Sequence, residues 1–537
     1  MASPAGGRGS GTAAIAIEAW LPPPFSFVAS AAVPAVAAVL AAAAIALGLR
    51  GVDWSAQLYR VHLFQSHGFL GFDASWYGGH APLAYSVTFP ALAATVSVPV
   101  VVVLSATAAA WAFDRLVRTY LGPSARGGSV VFAAATVVEV VVGELPFLLA
   151  LALGLLCVVA LASGRRWWAV VAAVLCALTN GVAAGFLVLA LVAWAIVGTP
   201  SRRRRCIGVA AAATAPVAAL SLAYGQGGSF PFRFSGLAFI VGLCVVISFI
   251  VPRGATVLRV GTLLYALASL VAFVVPSPMG GNMGRLGTAI GVPLLVSMAW
   301  PARKALLAVV AVPLLGWQWG PGLGGVTSGR VDASRKASYF APLLAEVAQL
   351  SHGPARIEIP PTRDHWEATW VAPTFPLARG WERQLDMGYN ALFYATGPLD
   401  AAAYHSWLQA NGVSYVALPD VPLDYGARTE GVLLATPPSW LTPAWSTPHW
   451  KVWEVDGSPG LISGPGRLTT LTADQFTVDA TQAGDVLVRV RYSPTWTIDG
   501  GGGCLAPAPD GWTDVRVDHP GRVQVVAGIL PRASSAC

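Results

Sequence analysis

The stretch SFVASAAVPAVAAVLAAAAIALGL, residues 26–49, decides the class of fold. A helix that crosses a bilayer needs about 20 mostly apolar residues. This run exceeds that length and carries no charge. It is too long for the apolar core of a secretion signal, and no small-residue cleavage site follows it, so it reads as a retained helix. Further apolar runs follow at about 88–112, 128–143, 145–163, 167–180, 182–198, 206–224, 236–251, 255–275, 287–300 and 304–317, giving about eleven expected spans. The whole composition agrees. Of 537 residues, 55% are hydrophobic and only 11% charged, with a mean hydropathy of +0.62. A soluble protein carries roughly 25% charged residues. These values exclude a disordered chain, a coiled coil, a collagen-like chain and an ordinary cytosolic enzyme.

The links between runs give an orientation. Alternate links hold Arg115, Arg118 and Arg126; Arg165 and Arg166; Arg202, Arg203, Arg204 and Arg205; Arg253; and Arg303 with Lys304. The opposite links hold Arg60, Arg233 and Arg285 singly. Positive charge near span ends favours the cytoplasm. The N-terminus is therefore expected inside a plasma membrane and the C-terminal part outside. The net charge of +7 then reads as a topology signal, not as a nucleic-acid surface.

The expected fold is a polytopic α-helical membrane domain, followed by an extracytoplasmic α+β lobe and a small β-sandwich. Its divisions are a cytoplasmic tail at 1–25, a transmembrane domain at 26–317 with a first outer loop at 50–90, an α+β domain at 318–467 and a sandwich-like domain at 468–537. In the α+β part, ASYFAPLLAEVAQL (337–350) reads as a helix, ARIEIPP and WKVWEV as strands, and HWEATWVAP alternates as a strand does. AAAYHSWLQANGVSYVALPD reads as helix, break and strand. Five short alternating segments beyond residue 468 suggest the sandwich.

The unusual residues lie in the outer links. The first reads GVDWSAQLYRVHLFQSHGFLGFDASWYGGHAPLAYSVTFPAL, residues 51–92. Trp54, Leu58, Val61 and Phe64 recur at helical spacing, which fits a helix lying on the membrane surface. Asp53 sits where the first span leaves the bilayer. A carboxylate there is partly desolvated and gains basicity, which suits removal of a proton from a sugar hydroxyl. The plainer alternatives are a solvated interfacial acid or a partner for Arg60. Asp73 follows the helix. Glu144 ends one span and Glu139 lies inside it; an acid within a span is a functional candidate by default. In VVPSPMGGNMGRLGTAIGVPLL (274–295), Arg285 stands alone against the charge bias. A guanidinium there suits a lipid phosphate, with Asn282 beside it and Arg233 as a weaker second cation; the alternative is an arginine bound to headgroups. His62, His67 and His80 invite a metal reading, but a spacing of five between the first two suits one helix face poorly. No resident metal or other cofactor is assigned; a divalent ion is compatible but unsupported. Trp366, Trp370 and Trp381 suggest sugar stacking, the alternative being core packing or docking on the membrane. Glu367 and Glu382 resemble a hydrolytic pair with nothing to fix their separation. Cys504 and Cys537 stand alone in the soluble part, either as a disulfide or as free thiols.

Residues Asp53, His62, Trp76, Gly78, Gly79, Pro82, Leu83 and Tyr85 resemble the first outer loop of GT-C glycosyltransferases. More closely, they resemble the bacterial membrane proteins related to 6-pyruvoyl-tetrahydropterin synthase and the actinobacterial arabinofuranosyl- and mannosyltransferase-like proteins. NMGRLG (282–287) and ARGWERQLDMGYNALFY (378–394) resemble the same set. The resemblance implies a GT-C-like membrane domain and an inverting transfer of sugar from a polyprenyl-phosphate donor to a cell-envelope glycan or glycolipid on the outer face. It implies Asp53 as base, with Arg285 near the donor phosphate and first-loop contacts from His62, Trp76, Tyr77, His80 and Tyr85. Many such proteins have two adjacent acids in this loop. Here Trp54 follows Asp53, and the next acid is Asp73. A transporter or flippase of a lipid-linked glycan shares the architecture, although no internal repeat is visible. So does a non-catalytic assembly protein of the envelope. No phosphate-binding glycine loop appears in a strand-to-helix context.

Overall fold

A computed structural model describes residues 31–225, 227–329, 332–530 and 535–537. The expected tail at 1–25 and the first residues of the 26–49 run lie outside these. Among the described residues, six helices are long and apolar enough to cross a membrane, beginning at Val98, Pro123, Leu145, Pro200, Thr256 and Lys304. Four shorter apolar helices accompany them: Ala32–Ala46, Arg166–Thr179, Gly181–Val197 and Phe234–Ile250. This is the build of a multi-pass membrane protein. Large apolar side chains line its outside, as with Leu222 at 89% exposure, Phe249 at 82% and Val312 at 79%. Such a surface is stable against lipid and not against water. Inside the bundle the packing residues are small. Ala37 and Ala41 of the first described helix and Ala106, Ala109 and Ala110 of Val98–Leu121 are fully buried. Small side chains let helix backbones approach closely where lipid offers no hydrophobic drive.

Three apolar runs differ from their expected outlines. The run at 88–112 is two helices, Thr88–Val96 and Val98–Leu121. Ser97 breaks it at φ 123°, and Pro99 restarts it in the first turn, where no amide donor is required. The run at 287–300 contains a π-helical turn at Gly287–Gly291 before the helix Val292–Ala299. Pro293 has no N–H to give the preceding turn, so the backbone bulges there. The last run does not stop at 317 but continues as Lys304–Gly329. Its glycines are packing positions: a Cβ on Gly325 would stand 3.3 Å from a Val141 methyl and 3.4 Å from the Gly51 Cα.

Beyond this bundle lie two β-containing lobes. In the first, a four-stranded sheet has the order β1-β2-β4-β3, with β1 at Arg356–Glu358, β2 at Val413–Pro419, β3 at Leu441–Ser446 and β4 at Trp450–Val455. Only β1 and β2 run parallel; the long crossover between them carries the helix Ala401–Ala410. HWEATWVAP is not a strand. Glu367–Trp370 is helical. The Trp366 amide donates to the Thr362 hydroxyl, and the Glu367 carboxylate accepts from Thr362 in return. That exchange works as a capping box.

Among the described residues the second lobe is a sandwich of eight strands, three more than expected. One sheet has the order β10-β11-β8-β5 and the other β6-β7-β12-β9, where β6 is Gly466–Leu471, β7 Gln475–Ala480, β9 Trp496–Gly500, β10 Gly503–Pro507, β11 Trp512–Val517 and β12 Gly521–Ala527. It begins at β5, Ile462–Ser463, ahead of residue 468. Alternation along β8, Gly484–Arg491, sends Val486, Val488 and Val490 inward, all fully buried. Cys504 and Cys537 form a disulfide.

The first outer loop ties these parts together. Phe72 packs on Trp496 of the sandwich, with ring centres 4.7 Å apart. Leu377 donates its amide to the Ser75 carbonyl, and Arg491 donates to the backbone of Tyr77 and Gly78. The loop helix Trp54–His67 therefore does not lie free on a membrane surface. Gln57, Tyr59, Arg60 and Leu63 are buried under the first lobe.

Candidate functional site

Asp53 is positioned by backbone. Its amide donates to the Val142 carbonyl at 3.0 Å, the Gly51 amide donates to Val141 at 2.7 Å, and the Trp54 indole donates to Val140 at 2.7 Å. These bonds seat the loop on the free end of the helix Arg126–Val142. Gly143 makes the seat possible. It caps that helix at φ 99°, and a Cβ there would fall 2.4 Å from the Trp54 nitrogen. Asp53 is the N-cap of the loop helix but makes no side-chain cap bond. Its carboxyl is free of the usual capping duty.

The side chains gathered around it are acids and guanidinia. Arg285 Nη2 donates to Glu144 Oε1 at 3.0 Å, and Glu139 lies buried within the electrostatic reach of Glu144, Arg285 and Asp53. Asp53 is only 8% exposed. Burial first, then the charge of Glu144, pushes its carboxyl up to about 7, while Arg285, Arg60 and His365 pull the other way. Thus Asp53, Glu139, Glu144 and Arg285 form one electrostatic cluster. Their sequence separations hide this, but each sits at or near the end of an apolar run.

Arg60 belongs to the same cluster. Its Nη2 donates to Glu382 Oε1 of the first lobe at 2.6 Å. Its guanidinium lies 3.8 Å from the ring centre of Tyr85 and 5.1 Å from that of Trp381. The Trp381 indole donates to the Val52 carbonyl, and Tyr85 receives a bond from the Gln57 amide at 3.3 Å. Burial pushes the Tyr85 hydroxyl up to about 12, so it stays protonated and able to donate. Of these residues the sequence marks Arg60 only as an arginine alone in an outer link and a partner for Asp53, and Glu382 only as half of a carboxylate pair with Glu367; it gives no sign of Gln57 or His365. His365 is buried at φ 54°, with Nδ1 3.5 Å from Glu367 and Nε2 3.8 Å from Asp424. A histidine held in that backbone region is a mark of functional or structural constraint.

Other expected site residues lie elsewhere or are already engaged. Asp73 is fully buried; Tyr59 donates to one oxygen at 2.7 Å and the Ser75 amide to the other at 2.9 Å. Both oxygens hold the loop together, so the acid has no route to a substrate. Trp76 and His80 stack at 4.8 Å and are fully buried. Tyr77 is equally enclosed and donates to the Glu382 carbonyl. They form the joint between loop and lobes, not a substrate wall. His62 is exposed on the loop helix, away from the buried Arg60 face. Arg233 is exposed at the N-cap of Phe234–Ile250. Asn282 donates to the Pro278 carbonyl in its own turn. Trp366 is fully buried and stacks against Trp370 at 6.2 Å, so that pair packs the lobe; Trp381 alone of the three borders the cluster. Glu382 holds Arg60 and Glu367 holds Thr362, so neither forms a hydrolytic pair.

No family model matches the sequence, and no curated protein matches it. Among solved structures, the chain is similar to the arabinofuranosyltransferase AftD from Mycobacteria, with a TM-score of 0.48 and 14% identity over 94% of this chain and 57% of that one. A mutant of the same protein matches with a TM-score of 0.46 and 14% identity, over 94% of this chain and 60% of that one. The chain thus spans less than two thirds of the length of either.

Proposed function

We propose that the protein is a membrane glycosyltransferase. It moves a sugar from a polyprenyl-phosphate donor to a glycan or glycolipid acceptor of the cell envelope, on the outer face, with inversion. The observation that carries this reading is the Asp53 carboxyl: buried, free of capping duty and raised to about 7 beside two guanidinia. A base is most effective when its pKa lies near the working pH.

In this reading Asp53 takes the proton of an acceptor hydroxyl. The hydroxyl oxygen forms a bond to the anomeric carbon from the face opposite the phosphate. The bond from that carbon to the phosphate oxygen breaks, and the charge gained by the leaving phosphate is met by Arg285. An apolar groove of about 500 Å³ supports a lipid-borne donor. It runs beside the loop helix and is lined by Ile45, Trp54, Leu58, Val61, Ala93 and Pro99, with Arg50 and Gln65 at its polar edges. Trp54 belongs both to this groove and to the seat of Asp53, so a chain in the groove ends near the cluster.

The test compares membranes carrying the wild type and Asp53→Asn, supplied with labelled polyprenyl-phosphate sugars. The variant should lose transfer while remaining folded. Equal transfer by both would reject Asp53 as base. Labelled lipid that crosses vesicles without a new glycosidic bond would replace the transferase with a transporter.

A further inference from the structure

We propose that Arg60 is a second anion-binding guanidinium of this site, and that the Glu382 carboxylate occupies the place of a phosphate monoester, the class of the lipid phosphate that transfer leaves behind. The inference deepens the transferase reading and rests on it for the substrate class.

Arg60 is 2% exposed and engages one carboxylate oxygen through Nη2. Its Nε and Nη1 atoms are buried and have no hydrogen-bond partner. Buried donors are nearly always paired, so an unpaired pair on one guanidinium calls for an acceptor. The flat fork of arginine matches the two oxygens of a phosphate. Tyr85, Trp381 and Trp76 surround the guanidinium at 3.8, 5.1 and 5.7 Å from their ring centres and fix its position. Gln57 Oε1 is also buried and unpaired beside it, able to accept from a sugar hydroxyl. The crevice touching Arg60, Leu63, Pro82 and Ser86 is about 20 Å³, room for one water. A phosphate therefore enters by replacing an anion already there, and Glu382 is that anion. Its side chain is the more accessible of the two, at 15% against 2%. Glu382 also precedes the helix Arg383–Tyr389, so its release is felt in the first lobe.

The experiment measures binding to the full chain in nanodiscs, with decyl phosphate and inorganic phosphate as probes. E382Q should bind decyl phosphate about ten-fold tighter than wild type, and R60K about ten-fold weaker. In the wild type, decyl phosphate should speed hydrogen exchange in residues 383–389. Tighter binding of decyl phosphate than of inorganic phosphate assigns the phosphate to a lipid; equal binding assigns it to a soluble monoester. The proposal is overturned if folded E382Q binds no tighter than wild type. It is equally overturned if exchange at 383–389 is unchanged at saturating decyl phosphate, a measurement that needs no variant. Asp53→Asn keeps the two readings apart. Unchanged transfer by that variant removes the transferase while leaving the phosphate site, and a binding failure beside lost transfer does the reverse.

Discussion

Two buried clusters in this molecule use the same residue types and finish them differently. In the first lobe, Arg379 donates to both oxygens of Asp386, at 3.1 and 2.6 Å, to Glu430 at 3.2 Å and to the Gly426 carbonyl at 3.1 Å. Asn390 adds a bond to Asp386, and Tyr404 donates to Glu430. Glu358 lies buried beside Glu430 with both carboxylate oxygens unpaired, so it is the arginine of this group, and not every acid, that is saturated. At the junction with the membrane domain, Arg60 leaves Nε and Nη1 without partners, Gln57 leaves Oε1 unpaired, and Asp53 spends nothing on capping. A guanidinium saturated by fixed carboxylates and carbonyls holds a fold together. One left short of acceptors at the edge of a membrane is available to something that arrives. The contrast separates structure from function better than residue type does, because acids and arginines are abundant in both.

Substitutions should split along this line. Asp53→Asn is expected to lower transfer by roughly 10²- to 10⁴-fold, the usual contribution of a positioned base, while the thermal unfolding midpoint stays where it was. Arg379→Met should do the opposite. It strands Asp386 and Glu430, both buried, and breaking a buried pair costs about 3–5 kcal/mol; calorimetry should show the first lobe unfolding early. An Arg379→Met protein as stable as wild type would erase the contrast. The lobe cluster should also respond to pH. Burial raises Glu358 well above the ordinary glutamate value and raises Glu430 to about 7. Glu430 therefore contributes stability that is full below its unfolded pKa near 4.3 and is lost as pH rises from there to about 7, and Glu358, raised further, extends the loss to higher pH. The unfolding midpoint should therefore fall as pH rises from 5 to 7, and Glu358→Gln should flatten the part of the fall that continues at higher pH. Trp381→Phe should have the smallest effect. It keeps a ring over Arg60 but loses the bond to the Val52 carbonyl, so transfer should drop only a few-fold in a kinetic assay.

Part of this is legible in the sequence. The apolar runs were plain from length alone, and Asp53, Glu139, Glu144 and Arg285 stood out as charges at or within span ends. What escaped was pairing between distant segments. Arg60 and Glu382 are 322 positions apart, and no local pattern links them. Asp73 looked as available as Asp53 because its partners, Tyr59 and Ser75, are revealed only by the fold of the loop. HWEATWVAP alternates with a period of two, yet Trp366 and Trp370 also share a helix face. Thr362 and Glu367 decided in favour of the helix. The Trp-rich segments near 366 read equally well as a sugar surface or a core; Trp366 is fully buried with Trp370 stacked on it, which puts that pair in the packing of the lobe.

The most direct test is the pH profile of kcat/KM for transfer, measured with wild-type protein and a labelled lipid-phosphate sugar. The Asp53 carboxyl must lose its proton to act as base, so the rate should climb about ten-fold per pH unit below 7 and level off above it. A rate that is flat from pH 5 to pH 9 would contradict the account, because no buried acid titrating near 7 would then be taking the acceptor proton.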